Sequence, residues 1–364
     1  MKLENFDWDR VELCWEKWWE KELGRPLFQV TVAPPPDAPP RALKRRHRFL
    51  PMYDFSIPAI DIVRDIAADI EAGAASCRDG SYPALWMNFG PGVLAAMIGG
   101  EGRCGEDTVW FYPGRFEGKE LQEITLELDR ESSWFRRLEE FFRAGAAEWH
   151  GLIHLGQTDL GGSLDVVSAV RPGEALLFDL FDRPDEVKRL NWEVHKVWFE
   201  AFDYFNRLLP ADNHGFSAWA GLLSRKSHYM LQCDFAYMIS PDQFAEFVAP
   251  ELAASCRRLA RPFYHLDGKG QLPHLDHLLA IPELAGIQWV PGAGVPDCSC
   301  WPEVYRKIAA ADRLMQIFVP NDVTVIEKIL TQIDKPELIL FSGQVPYSQR
   351  ERLEAIYRRF GVDR

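Results

Sequence analysis

Phe263-Tyr264-His265-Leu266-Asp267-Gly268 is an apolar run that closes on polar residues and a glycine. Side chains alternate along a strand, so His265 and Asp267 share one face and Tyr264 and Leu266 the other. Runs of the same texture recur at 152–157, 216–219, 287–290, 314–319 and 338–342, with helix-patterned segments such as 241–259 and 302–311 between them. That alternation of short β-rich runs with amphipathic helices predicts a parallel sheet. Runs that are apolar throughout predict strands covered on both faces, which a doubly wound sheet and a closed barrel both provide. Two earlier runs, 26–32 and 84–89, bring the count to about eight, so the expected fold is α/β, a (β/α)8 TIM barrel.

Helix punctuation agrees. Ser240-Pro241-Asp242 sets an N-cap before a first-turn proline, and Arg183-Pro184-Asp185-Glu186 is a second start whose acids suit the helix dipole. The N-terminal segment differs in texture: Trp8, Trp15, Trp18 and Trp19 mark a helix-like stretch, and Ala33-Pro34-Pro35-Pro36-Asp37-Ala38-Pro39-Pro40 predicts an extended connector. Arg41-Ala42-Leu43-Lys44-Arg45-Arg46-His47-Arg48 follows, the one concentrated positive segment, readable as a solvated face or as an arm that contacts anions. The expected organisation is an N-terminal extension over residues 1–50 and a barrel domain over 51–364, with 108–129 an excursion from the barrel.

Composition bounds the function. The 364 residues carry 54 Asp+Glu against 41 Lys+Arg, a net charge of −13, which argues against nucleic acid as a partner because phosphate binding needs a basic surplus. No stretch approaches the roughly 18 apolar residues of a transmembrane helix. Seven cysteines, an odd number, argue against a disulfide framework. The opening Met1-Lys2-Leu3-Glu4 lacks a signal-peptide pattern, so a cytoplasmic setting is expected.

In a barrel the working residues sit at the C-terminal ends of the strands. Here those ends offer Asn88, Asp159, Trp219, Gln232, Asp234, His265, Asp267, Gln288, Trp289 and Gln344, a set rich in amides, acids and tryptophan. Trp219 and Trp289 close strands and are candidate pocket walls. His265 and Asp267 are the sharpest pair: they can share a metal, pass a proton, or form a histidine held by a carboxylate for structural reasons. Asp234 joins them as a candidate catalytic acid. His274 and His277 read as a surface pair, and Cys298-Ser299-Cys300 as two free thiols without zinc-site spacing.

The succession Ser163-Leu164-Asp165, Arg171-Pro172-Gly173-Glu174-Ala175-Leu176-Leu177-Phe178-Asp179-Leu180, Arg183-Pro184-Asp185-Glu186-Val187, Ile239-Ser240-Pro241-Asp242-Gln243-Phe244-Ala245-Glu246-Phe247 and Tyr264-His265-Leu266-Asp267-Gly268 resembles the uroporphyrinogen decarboxylase superfamily over about residues 80–360. The resemblance implies a TIM-barrel enzyme, often a homodimer, from one of two branches. One branch decarboxylates a tetrapyrrole without a cofactor; the other uses zinc to move methyl groups between corrinoid proteins and thiols. This chain departs from both. The arginine signature of the decarboxylases has only the 41–48 cluster as a counterpart, and their second-strand Asp is replaced by Asn88-Phe89-Gly90. The zinc-binding His-x-Cys of the methyltransferases reads His265-Leu266-Asp267, and their last cysteine turn reads Phe341-Ser342-Gly343-Gln344. Asp159, Glu174 and His195 fall at the spacing that related corrinoid-linked demethylases use with Glu, Glu and His.

The expected function is methyl transfer or demethylation of a small organic substrate at the barrel mouth, linked to a corrinoid on a partner protein. His265 and Asp267 would hold zinc or act as acid and base. The alternatives are decarboxylation of a carboxylated substrate and a barrel that binds ligand without catalysis.

Overall fold

The protein is described from a computed structural model over residues 2–38, 54–105 and 108–362; the basic cluster at 41–48 lies outside the described residues. Helix α1, Trp8–Trp19, is capped by the Asp7 carboxylate on the Arg10 amide at 3.1 Å and leads to strand β1, Leu27–Val32. Then come α2, Ala59–Ala74, and β2, Ala84–Trp86. The expected excursion contributes to an antiparallel hairpin of β3, Glu101–Cys104, and β4, Val109–Tyr112. After it follow α3, Ser133–Trp149, β5, His154–Gly156, and three helices: α4, Ser163–Val170, α5, Gly173–Asp182, and α6, Pro184–Asn206. The rest alternates: β6, His228–Gln232; α7, Ala249–Arg258; β7, Arg261–Asp267; β8, Gly286–Val290; α8, Pro302–Ala310; β9, Leu314–Val319; α9, Thr324–Leu330; β10, Ile339–Val345; and α10, Arg350–Arg359.

Six strands form one parallel sheet in the order β1-β10-β9-β8-β7-β6, and β2 pairs in parallel with β5. The architecture is TIM-barrel-like, with helices following strands, but among the described residues no ladder joins β1 to β2 or β5 to β6. Single bonds span those seams, from the Gly80 amide to the Phe28 carbonyl and from the Gln157 amide to the Ser217 carbonyl, each 2.9 Å. The run at 216–219 is not a strand. Gly215 and Gly221, both at positive φ, bend the chain on either side of it, and it makes only an isolated bridge from Phe216 to Ser224. The sixth strand of the parallel sheet is His228–Gln232 instead, fully buried and in register with Arg261–His265. The helix expected from 241 onward is present, opened by a Ser240/Gln243 capping box and interrupted by a π turn over Phe244–Val248, ahead of Pro250, whose nitrogen cannot donate to the ladder.

The N-terminal tryptophans are spent inside this chain. Val11, Trp15 and Trp18 recur at helical spacing on α1 and are buried. The Trp15 indole donates to the Gly80 carbonyl at 2.9 Å, the Trp19 indole donates to Leu223 at 2.8 Å, and Trp18 and Trp19 pack on Phe263. Gly80 and Leu223 precede β2 and β6, and Phe263 lies in the first half of β7, so α1 packs against the end of the sheet opposite the strand termini that carry the site. Its acidic stripe is held by Arg261, which grips Glu16 at 2.6 and 2.8 Å and Glu20 at 2.7 Å. Arg261 is buried and Glu16 half-buried, so removing the cation leaves the Glu16 carboxylate with only the Arg225 backbone amide as a partner among the described residues. Arg261→Leu is expected to destabilise the fold by about 3 kcal/mol, read as a lower urea midpoint. No helix among the described residues is long and apolar enough to cross a membrane.

Candidate metal centre

Three side chains meet where β6 and β7 end. Alternation along β7 puts His265 and Asp267 on one face, and the register that pairs Gln232 with His265 brings Asp234, two residues further on, alongside them. One ligand atom from each of Asp234, His265 and Asp267 can be chosen so that all lie within 4.8 Å of one another. The His265 Nε2 is 4.0 Å from Asp267 Oδ2. Ligands of a tetrahedral zinc stand roughly 3.3 Å apart, given bonds of about 2.0–2.1 Å, so holding one ion would require these atoms to draw closer together. Gly268 at φ +79° turns the chain away immediately after the pair.

Behind the ligands lies a layer of amides. His265 Nδ1 is hydrogen-bonded to Gln288 Oε1, and Gln288 Nε2 donates to Gln316 Oε1 at 2.7 Å. Gln316 Nε2 donates to the Ala220 carbonyl at 2.8 Å and to Ser342 Oγ at 2.9 Å. The Ser342 hydroxyl donates to Gln29 Oε1 at 3.1 Å, and Gln29 Nε2 donates to the Gly221 carbonyl at 2.6 Å. Trp219, from the same turn as those two carbonyls, stands edge-on to the His265 ring at 4.9 Å and 89°. Burial lowers the His265 pKa despite the opposing pull of Asp267, which favours the neutral ring, the state that can ligate a metal.

The acids around this centre are shifted the other way. Asp159 is buried and accepts from the Gly161 amide at 2.8 Å; burial, with the Asp234 and Asp165 charges adding to it, pushes its carboxyl up to about 7. Asp165, on α4, accepts from the amides of Asp234 at 3.0 Å and Phe235 at 2.8 Å, and so fixes the loop that carries Asp234. Burial raises both Asp165 and Asp234, and repulsion from Asp234 and Asp267 respectively raises each further. Asp234 is open to solvent on its mouth side. Gly162 leaves space for this packing: a Cβ there would lie 2.1 Å from the Gln232 carbonyl oxygen.

The other predicted residues divide. Gln232 reaches Asp159 at 3.4 Å and belongs with the centre. Asn88 spends its side-chain oxygen on the Gly90 amide, shaping the turn after β2. Trp289 follows the inward Gln288, so alternation turns it to the opposite face, where it packs on Trp301 at 5.3 Å. Gln344 is exposed on the rim, 3.5 Å from the Thr31 hydroxyl. His195 pairs with Glu251 at 2.8 Å within the helix layer. His274 is not a surface residue: it is fully buried, stacked on Phe244 at 4.5 Å, and donates through Nε2 to the Ala236 carbonyl at 2.8 Å, which braces the Asp234 loop. Gln29, Gln316 and Asp165 were not singled out as site residues from the sequence. A lone glutamine inside each of three mostly apolar runs, Leu27–Val32, Gly286–Val290 and Leu314–Val319, is the signal that marks the amide layer.

No family model matches the chain, and no curated protein does. Among solved structures the chain is similar to a methyltransferase from Methanosarcina mazei, with a TM-score of 0.64 and 11% identity over 96% of this chain and 99% of that one. At that identity the likeness is one of fold.

Proposed function

We propose that this chain is a methyltransferase acting on a small organic substrate at the barrel mouth. In this reading Asp234, His265 and Asp267 hold a divalent metal, zinc in the first instance, and the methyl group is exchanged with a corrinoid carried by a partner protein. The observation that carries the reading is the convergence of the three ligand atoms within 4.8 Å at the strand ends. The likeness in fold to a methyltransferase supports it.

The donors fit a metal: one neutral imidazole, two carboxylates and an open side at Asp234 where a substrate atom can complete the set. They are harder than thiolates, so zinc affinity is expected below that of a cysteine site, and oxygen-preferring ions compete better. When bound, the metal supplies Lewis acidity to the O–H or S–H of the methyl acceptor. The chain does the rest. Asp165 fixes the Asp234 loop, Trp219 shields one side of His265 from water, and Asp159 holds a proton near neutral pH.

That last property is the one observation favouring the second reading, decarboxylation of a carboxylated substrate. A carboxyl still protonated near pH 7 can protonate the carbanion left when carbon dioxide departs. Chelator-treated protein titrated with Co2+ and Zn2+ distinguishes the two. Methyl transfer predicts one equivalent bound and metal-dependent methyl loss from a methylcorrinoid; carbon dioxide release from metal-free protein would favour decarboxylation, and failure to bind either ion would sink the metal centre.

A further inference from the structure

We infer that Gln316, two strands from His265 and hydrogen-bonded to none of the three candidate ligands, decides which nitrogen of His265 carries the ring proton and which keeps its lone pair for a metal. The inference rests on the metal-centre reading for its consequence, but not for its geometry. A side-chain amide has one donating and one accepting end, and the end that faces a backbone carbonyl must donate. Gln316 therefore has its nitrogen on the Ala220 carbonyl and on Ser342, which leaves its oxygen toward Gln288. Gln288 must answer with its nitrogen, and so presents its oxygen to His265 Nδ1. An oxygen there accepts only, so Nδ1 carries the ring proton, and the Nε2 lone pair is left toward the carboxylates.

A second anchor gives the same polarity. Gln29 has its nitrogen on the Gly221 carbonyl and its oxygen on the Ser342 hydroxyl, which leaves the Ser342 lone pair to accept from Gln316. Both anchors are consecutive carbonyls of the turn that carries Trp219. Gly221 sits there at φ +73°, and a Cβ on it would stand 3.3 Å from Gln29 Nε2, tightening the contact that holds the chain of bonds. Gln288 and Gln316 are fully buried, so no water competes for either end of their amides. Register supplies three of the four steps, pairing His265 with Gln288, Gln288 with Gln316, and Ser342 with Gln29; Gln316 itself pairs with Leu340, and its side chain reaches two residues along β10 to Ser342. The four polar side chains on β8, β9, β10 and β1 thus form a one-way relay that transmits the direction of a fixed carbonyl to the imidazole. Gln316 is a positioning residue: it acts on the metal ligand only through Gln288.

The test reads the tautomer directly in metal-free protein labelled with 15N-histidine, at pH 8, with the His265 signals assigned by their loss in His265→Asn. Wild type is expected to show a protonated Nδ1 and an unprotonated Nε2. Gln316→Leu frees Gln288 to turn over, and the two His265 nitrogens are expected to move toward a common, averaged shift, with zinc affinity falling about tenfold. Gln316→Glu in its protonated form can still donate to Ala220 and accept from Gln288, and is expected to keep the wild-type tautomer while that proton is held. A proton on Nε2 in wild type would overturn the inference even if Gln316→Leu failed to fold; so would unchanged His265 shifts in folded Gln316→Leu. Should the tautomer behave as expected while no variant binds metal, the relay stands and the metal centre falls.

Discussion

His265→Ala is expected to abolish measurable zinc binding and, with it, metal-dependent methyl transfer, while leaving the barrel folded. His265 is the only nitrogen donor in the set and the only ligand whose orientation is fixed by a hydrogen bond to a neighbouring strand. Losing an outer partner of a metal ligand lowers affinity roughly 10- to 100-fold, and losing the ligand itself should exceed that. The fold loses less. Gln288 Oε1 is left without its donor, at a cost of about 1–3 kcal/mol if it stays dry, and the truncated side chain opens the site to water from the mouth. Asp267→Asn and Asp234→Asn should fall between wild type and His265→Ala, because an amide oxygen still ligates weakly. Competition against a chromogenic chelator gives the order. Wild-type affinity in His265→Ala would remove the centre from this location.

Much of this arrangement is written in the chain. The period of two that puts His265 with Asp267 is local, and so is the punctuation at Ser240-Pro241 and Arg183-Pro184. What the sequence leaves open is set by partners far away in the chain. Residues 216–219 are as apolar as a strand, and only the bends at Gly215 and Gly221 and the pairing of His228–Gln232 with β7 show which segment enters the sheet. Trp289 lies near the end of a strand as Trp219 closes its run, yet it faces outward because Gln288 faces inward, and the inward direction depends on where the strand meets the layer. His274 looks like a surface histidine because its ring partner, Phe244, comes from another helix. The union of Asp234 with His265 needs the β6 to β7 register, which no spacing along the chain encodes.

Asp159→Asn is expected to raise stability at pH 8 and to leave it little changed at pH 4. The unfolded carboxyl titrates near 3.9, whereas the folded one is pushed up to about 7, chiefly by burial. The folded state therefore binds more protons between those values, and unfolding free energy falls as pH rises through the interval. The penalty is absent below about pH 4 and complete above about pH 7; three units of difference correspond to on the order of 4 kcal/mol. Asparagine keeps an oxygen for the Gly161 amide and carries no charge, so the penalty is removed. Asp165 and Asp234, raised for similar reasons, keep part of the pH slope in the variant. Urea unfolding of both proteins at pH 4 and pH 8 checks the sign: equal destabilisation at both would show that Asp159 is held for its hydrogen bonds and not in a strained ionisation state. If Asp159 supplies a proton to the reaction, as the decarboxylation reading has it, the stabilised variant loses turnover; unchanged turnover would remove Asp159 from that role.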